Sequence, residues 1–100
     1  MDSDLDVLEV LRQGDWRQEY SGMPTIIIES YKFRFYSSDG NEPPHVHVLR
    51  EDNEAKIWLQ PVVVEYNLRY SGVELNRILK LSRQHQARLL EVWNAYFGQS

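Results

Sequence analysis

The chain has 100 residues, 42% of them hydrophobic and 26% charged, with a formal net charge of −4. That is enough for one compact core and too little for two. There is no cysteine, which excludes disulfides, thiolate metal sites and cysteine nucleophiles, and no apolar run approaches the roughly 20 residues of a membrane helix, so a cytoplasmic protein without membrane contact is expected.

The acidity is local. Asp2, Asp4, Asp6, Glu9, Asp15 and Glu19 face only Arg12 and Arg17 in the first 23 residues, whereas acids and bases balance over the rest. The acidic start Met1-Asp2-Ser3-Asp4 also has the wrong electrostatics for a signal or transit peptide. The segment "DLDVLEVLR" puts Leu5, Leu8 and Arg12 on one line with Val7 and Leu11 beside it, the spacing of an amphipathic helix that Ser3 or Asp4 can cap and Gly14 can end. Residues 1–22 are therefore expected to be an acidic, amphipathic helical extension, and residues 23–100 a single α+β domain.

From Met23 the pattern is that of strands. "TIIIES" is continuous and β-branched, and Tyr31, Phe33 and Phe35 then alternate with Lys32, Arg34 and Tyr36, predicting a hairpin that turns at Glu29 and Ser30. The polar run Ser37 to Pro44 reads as a loop, with Asp39-Gly40-Asn41 as turn chemistry and two prolines that push their predecessors away from helix. Strands follow at His45 to Arg50 and Ala55 to Gln60; "VVVEY", 62–66, is a further short strand or an extended connector.

Ser71-Gly72-Val73-Glu74 matches a capping box and starts a long helix, whose apolar stripe runs through Leu75, Ile78, Leu79, Leu89, Leu90, Trp93, Tyr96 and Phe97 to Gly98. Uninterrupted, it would extend about 39 Å, longer than a ball of this mass is wide, so a bend or break is expected near Ser82 to Gln86. The expected fold class is α+β: an N-terminal helix, a small antiparallel sheet of about four strands, and a long or bent C-terminal helix packed on one sheet face.

The chemistry concentrates in "PPHVHVLRED". If the strands 45–50 and 55–60 pair around a turn at Asp52-Asn53, Val46 faces Leu59 and Val48 faces Ile57, a clean apolar face. His45 and His47 then lie opposite Gln60 and Trp58 and point away from the core. Lys32, Arg34 and Tyr36 join that face from the neighbouring strand. Imidazole, cation and aromatic ring together suit a phosphodiester with stacked bases: His45 and His47 as acid-base pair, Lys56 or Arg34 on phosphate, rings holding bases. Ordinary exposed sheet surface is the plainer alternative. An H-x-H pair also supplies two metal ligands, with Glu51 and the helical His85 as further candidates. The run from Gly40 through His45 and His47 to Glu51 is similar to the first motif of cupins, but lacks that family's second glycine and later histidine. No metal or cofactor is assigned.

"MPTIIIESYKFRFYSSDGNEPPHVHVLRED", with "AKIWL", "ELNRI" and "WNAYFG", resembles a family of small bacterial proteins known as domain of unknown function number four-one-six-zero, over Met23 to Gly98. The resemblance implies the toxin of a toxin-antitoxin pair, partnered by a small protein antitoxin encoded in a neighbouring gene. Asn41, Glu42, His45, His47, Lys56 and Trp58 are the matching positions selected. The leading reading is a toxin that inhibits translation by binding or cutting RNA, with His45, His47 and Lys56 catalytic in a metal-independent ribonuclease and Arg34, Tyr36, Asn41, Glu42 and Trp58 holding substrate or partner; whether it is an enzyme, or a homodimer, stays open. The alternatives are a non-enzymatic protein-binding module anchored by Trp58 and a small metal-binding domain.

Overall fold

The computed structural model describes residues 17–19 and 23–98. Among the described residues, six antiparallel strands pair in chain order: β1 (Arg17–Glu19), β2 (Met23–Ile28), β3 (Tyr31–Arg34), β4 (His45–Arg50), β5 (Asn53–Leu59) and β6 (Val62–Leu68). A short 3-10 turn, Ser37–Asn41, lies between β3 and β4, and two helices follow the sheet, α1 (Gly72–Gln84) and α2 (Gln86–Phe97). The α+β class is as expected, with more strands than the four anticipated. "VVVEYNL" pairs with β5 along its length, and Arg17–Glu19, inside the stretch expected to be helical extension, pairs with β2. The helix expected over residues 4–12 lies outside the described residues. Among the described residues no helix is long and apolar enough to cross a membrane.

The β2–β3 hairpin turns at Glu29, in the left-handed region with φ 60°, and buries Tyr31, Phe33 and Phe35 by strict alternation. β4 and β5 turn one residue earlier than expected, at Glu51, which takes φ 58°. Val46 therefore faces Ile57, and Val48 faces Ala55. The register differs from the expected one by two residues. Two is the side-chain repeat of a strand, so every residue keeps its face.

The two helices cover the valine face. Val46, Val48, Ile57 and Leu59 pack there with Ile78, Leu81, Leu89, Val92 and Trp93 into one buried cluster. The Ser71 hydroxyl accepts from the Glu74 N–H at 3.1 Å to start α1. His85 leaves helical geometry at φ −109° and ψ 17°, which splits the helical region where excess length demanded a break. Gly98 ends α2 in the left-handed conformation, its N–H donating to the Asn94 carbonyl.

On the opposite sheet face, cross-strand rows run Thr25, Arg34, His47, Lys56, Tyr66 and Ile27, Lys32, Leu49, Glu54, Leu68. What covers part of this face is the 3-10 turn. The turn can approach because Gly40 has no side chain: a Cβ there would lie 2.8 Å from Phe97 Cδ1, and that ring stacks on Trp93 with centroids 4.2 Å apart.

Two stability measurements check this account. Ser71→Ala should lower the free energy of urea unfolding by about 1 kcal/mol, through the orphaned Glu74 amide. Gly40→Ala should cost roughly 1–3 kcal/mol by forcing Phe97 off Trp93; an unchanged denaturation midpoint would show that the turn does not depend on that approach.

Candidate metal centre

β4 supplies two imidazoles on one face because positions 45 and 47 are two apart on a strand. Both are buried. His45 is 0% exposed and His47 8%, against the expectation of an open histidine face. Alternation predicted the face correctly; the covering came from elsewhere. His45 is packed by Trp58 and Trp93, with ring centroids at 5.4 and 5.3 Å. The Tyr36 ring meets His47 edge-on at 4.7 Å, and the 3-10 turn brings Asp39 over both.

Asp39 is held by its own turn: its Oδ2 accepts from the Tyr36 N–H at 3.1 Å, and its N–H donates to the Tyr36 carbonyl at 2.9 Å. The same Oδ2 lies 3.2 Å from His45 Nε2 and 3.3 Å from His47 Nε2. One ligand atom from each of the three residues falls within 4.8 Å of the others. Neither buried Nε2 makes a hydrogen bond. Distance alone would allow one, so it is the alignment of each ring with the carboxylate that fails.

The far sides of the rings identify the tautomers. His45 Nδ1 lies 3.0 Å from the Pro43 carbonyl, which can only accept, so Nδ1 carries a proton. His47 Nδ1 donates in the same way to Glu54 Oε2 at 3.2 Å. Burial holds the His47 pKa below its usual value, an effect that the charge of Asp39 and the Glu54 hydrogen bond only partly offset. His47 is therefore neutral near pH 7, with a lone pair on Nε2 facing the Asp39 oxygen. Acceptor faces acceptor in a buried space.

Around this centre the other residues singled out from the sequence take different places. Lys56, directly across from His47, sends its ammonium to Glu42 Oε1 at 2.7 Å and over the Trp58 ring at 4.8 Å, not to the imidazoles. Glu42 is exposed, its carboxyl held below the usual range by the Lys56 hydrogen bond, and its Oε1 lies 3.6 Å from His45 Nδ1. The Trp58 indole N–H donates to Glu65 at 2.8 Å. Arg34 pairs with His47 across the strands, yet its Nε donates to Thr25 Oγ1 at 3.0 Å. Asn41 is exposed at the end of the turn. Glu51 sits in the β4–β5 turn, and His85 at the helix break; neither belongs to the cluster.

Two residues of the centre were not selected from the sequence. Asp39 was read as turn chemistry, although a carboxylate six residues ahead of H-x-H in a short loop was a usable signal. Glu54, beside the β4–β5 turn, meets His47 only through the register that turn length sets. No curated protein and no solved structure matches the chain significantly. The family model described as "Domain of unknown function (DUF4160)" matches residues 30–94, a stretch that contains Asp39, His45, His47 and Glu54, and the chain belongs to that family.

Proposed function

We propose that this domain is a metal-binding module that holds a divalent transition ion between Asp39 Oδ2, His45 Nε2 and His47 Nε2. The observation that carries the reading is the pair of buried Nε2 atoms without hydrogen-bond partners, both facing one carboxylate oxygen. A cation turns that repulsion into three bonds. Metal–nitrogen and metal–oxygen bonds of roughly 2.0–2.2 Å around a tetrahedral ion separate neighbouring ligand atoms by about 3.3 Å; the two distances from Asp39 to the imidazoles are 3.2 and 3.3 Å, and all three ligand atoms lie within 4.8 Å of one another. Two neutral imidazoles and one carboxylate favour zinc, iron, cobalt or nickel over calcium and magnesium, which take oxygen ligands. Protein bonds to the outer Nδ1 atoms are the usual support for histidine ligands. Three protein ligands leave further coordination positions to water.

The toxin role implied by the family resemblance is carried forward as a proposal about the cell. Lys32, Arg34 and Lys56 share the sheet face with Tyr36, Trp58 and Tyr66, groups that suit RNA or a partner protein. Imidazoles with buried Nε2 atoms are poorly placed to exchange protons with a phosphodiester, so in this reading the metal-loaded domain is the active form.

Protein purified without a His tag should retain close to one equivalent of transition metal by elemental analysis. After chelation, Co²⁺ should restore a visible d–d band that Asp39→Asn and His47→Ala abolish. Metal present at 100 times its dissociation constant should stabilise the fold by about 2.7 kcal/mol. Absence of both bound metal and a Co²⁺ band would end the metal reading. For the toxin role, expression without the neighbouring gene should slow growth, and Asp39→Asn should relieve this as fully as His47→Ala; normal growth of cells expressing the unaltered protein would remove it.

A further inference from the structure

Glu54 Oε2 receives two hydrogen bonds, from His47 Nδ1 at 3.2 Å and from the Tyr66 hydroxyl at 2.7 Å. The three groups lie on three surfaces of decreasing depth: His47 is buried, Glu54 partly so, and Tyr66 37% exposed on the open sheet face. The register forces this arrangement. Lys56 pairs with Tyr66 and with His47, so His47 and Tyr66 occupy one cross-strand row, and Glu54 is the next same-face residue of β5 beside them. An irregularity between Lys56 and Ile57, where Glu65 has no partner, is what brings Tyr66 onto this face.

We infer that Glu54 is a positioning residue for the metal site and that Tyr66 tunes it from the surface. This rests on the metal-binding reading above and adds to it the groups that decide how tightly the ion is held. Glu54 accepts the Nδ1 proton, which leaves Nε2 as the ligating lone pair, fixes the ring, and raises the basicity of the imidazole by placing negative charge behind it. Tyr66 acts in the opposite sense. Its short bond draws charge from the same carboxylate oxygen and weakens the pull of that oxygen on the His47 proton. Burial, reinforced by Glu54, pushes the phenol pKa up, so Tyr66 remains a donor throughout the neutral range.

The arrangement predicts effects of opposite sign for two neighbouring substitutions, which a general loss of structure cannot produce. The full chain is stripped with chelator and titrated with Co²⁺, following the d–d band. Glu54→Gln keeps an acceptor for both donors but removes the charge, and should weaken Co²⁺ about tenfold; Glu54→Ala removes the acceptor and should approach a hundredfold. Tyr66→Phe keeps the ring, frees the carboxylate, and should tighten Co²⁺ several-fold. The melting temperature of the stripped protein should be the same for the unaltered chain and Glu54→Gln, which separates ion affinity from folding. Co²⁺ binding by Glu54→Ala equal to that of the unaltered protein overturns the role of Glu54 while leaving the metal reading in place. Weaker binding by Tyr66→Phe overturns the tuning role of Tyr66. No Co²⁺ binding by the unaltered protein removes the metal reading itself.

Discussion

Two buried imidazole Nε2 atoms, neither of them in a hydrogen bond, face one carboxylate oxygen of Asp39. The separations are 3.2 and 3.3 Å, screening by water is reduced at this depth, and the alignment needed for a hydrogen bond between ring and carboxylate is missed. The functional reading follows from this one electrostatic problem. A cation resolves it, and the placement of every donor around the centre is consistent with one: each ring has its outer nitrogen bonded to an acceptor, which leaves the inner nitrogen free to ligate.

The fold is arranged so that the three groups come from parts with different constraints. His45 and His47 sit on a central strand whose other face is packed by two helices, so their positions are set by the core. Asp39 sits on a turn between β3 and β4 that is held by its Tyr36 bonds, the Glu42 pair with Lys56, the Leu59 N–H donating to the Pro44 carbonyl, and the packing of Gly40 on Phe97. With ligands on a strand and on a turn, an ion bound as proposed would be a cross-link between the two. Phe97, which packs against the turn at Gly40, and Trp93, which touches His45 and Phe97, belong to α2. The C-terminal helix thus contributes to the site without supplying a ligand.

The open sheet face has a second character. Ile27, Val63, Tyr66 and Leu68, the exposed large apolar residues of the sheet, all share it with the histidines. Lys56, selected from the sequence as catalytic, is engaged with Glu42 there rather than directed at the imidazoles, whereas Trp58, selected as a binding residue, packs its ring on His45 while its indole N–H donates to Glu65. Their place is at the rim of the centre, where they shape its approach.

Local sequence determined the strands from β2 to β5, the helical C-terminal region, the hairpin at Glu29, the cap at Ser71, the break near His85 and the face on which His45 and His47 lie, but not β1. These follow from periodicities of two and 3.6 and from the preferences of single turns, which act over a few residues. Tertiary structure alone decided that the histidines are covered, because covering depends on where a loop folds relative to a sheet and on whether a glycine lets it approach a ring from the far end of the chain. It also decided that Asp39 and Glu54 join them. The His47–Glu54 contact depends on a turn one residue earlier than the one expected, a shift that preserves every face and so leaves the hydrophobic pattern unchanged while altering which side chains meet.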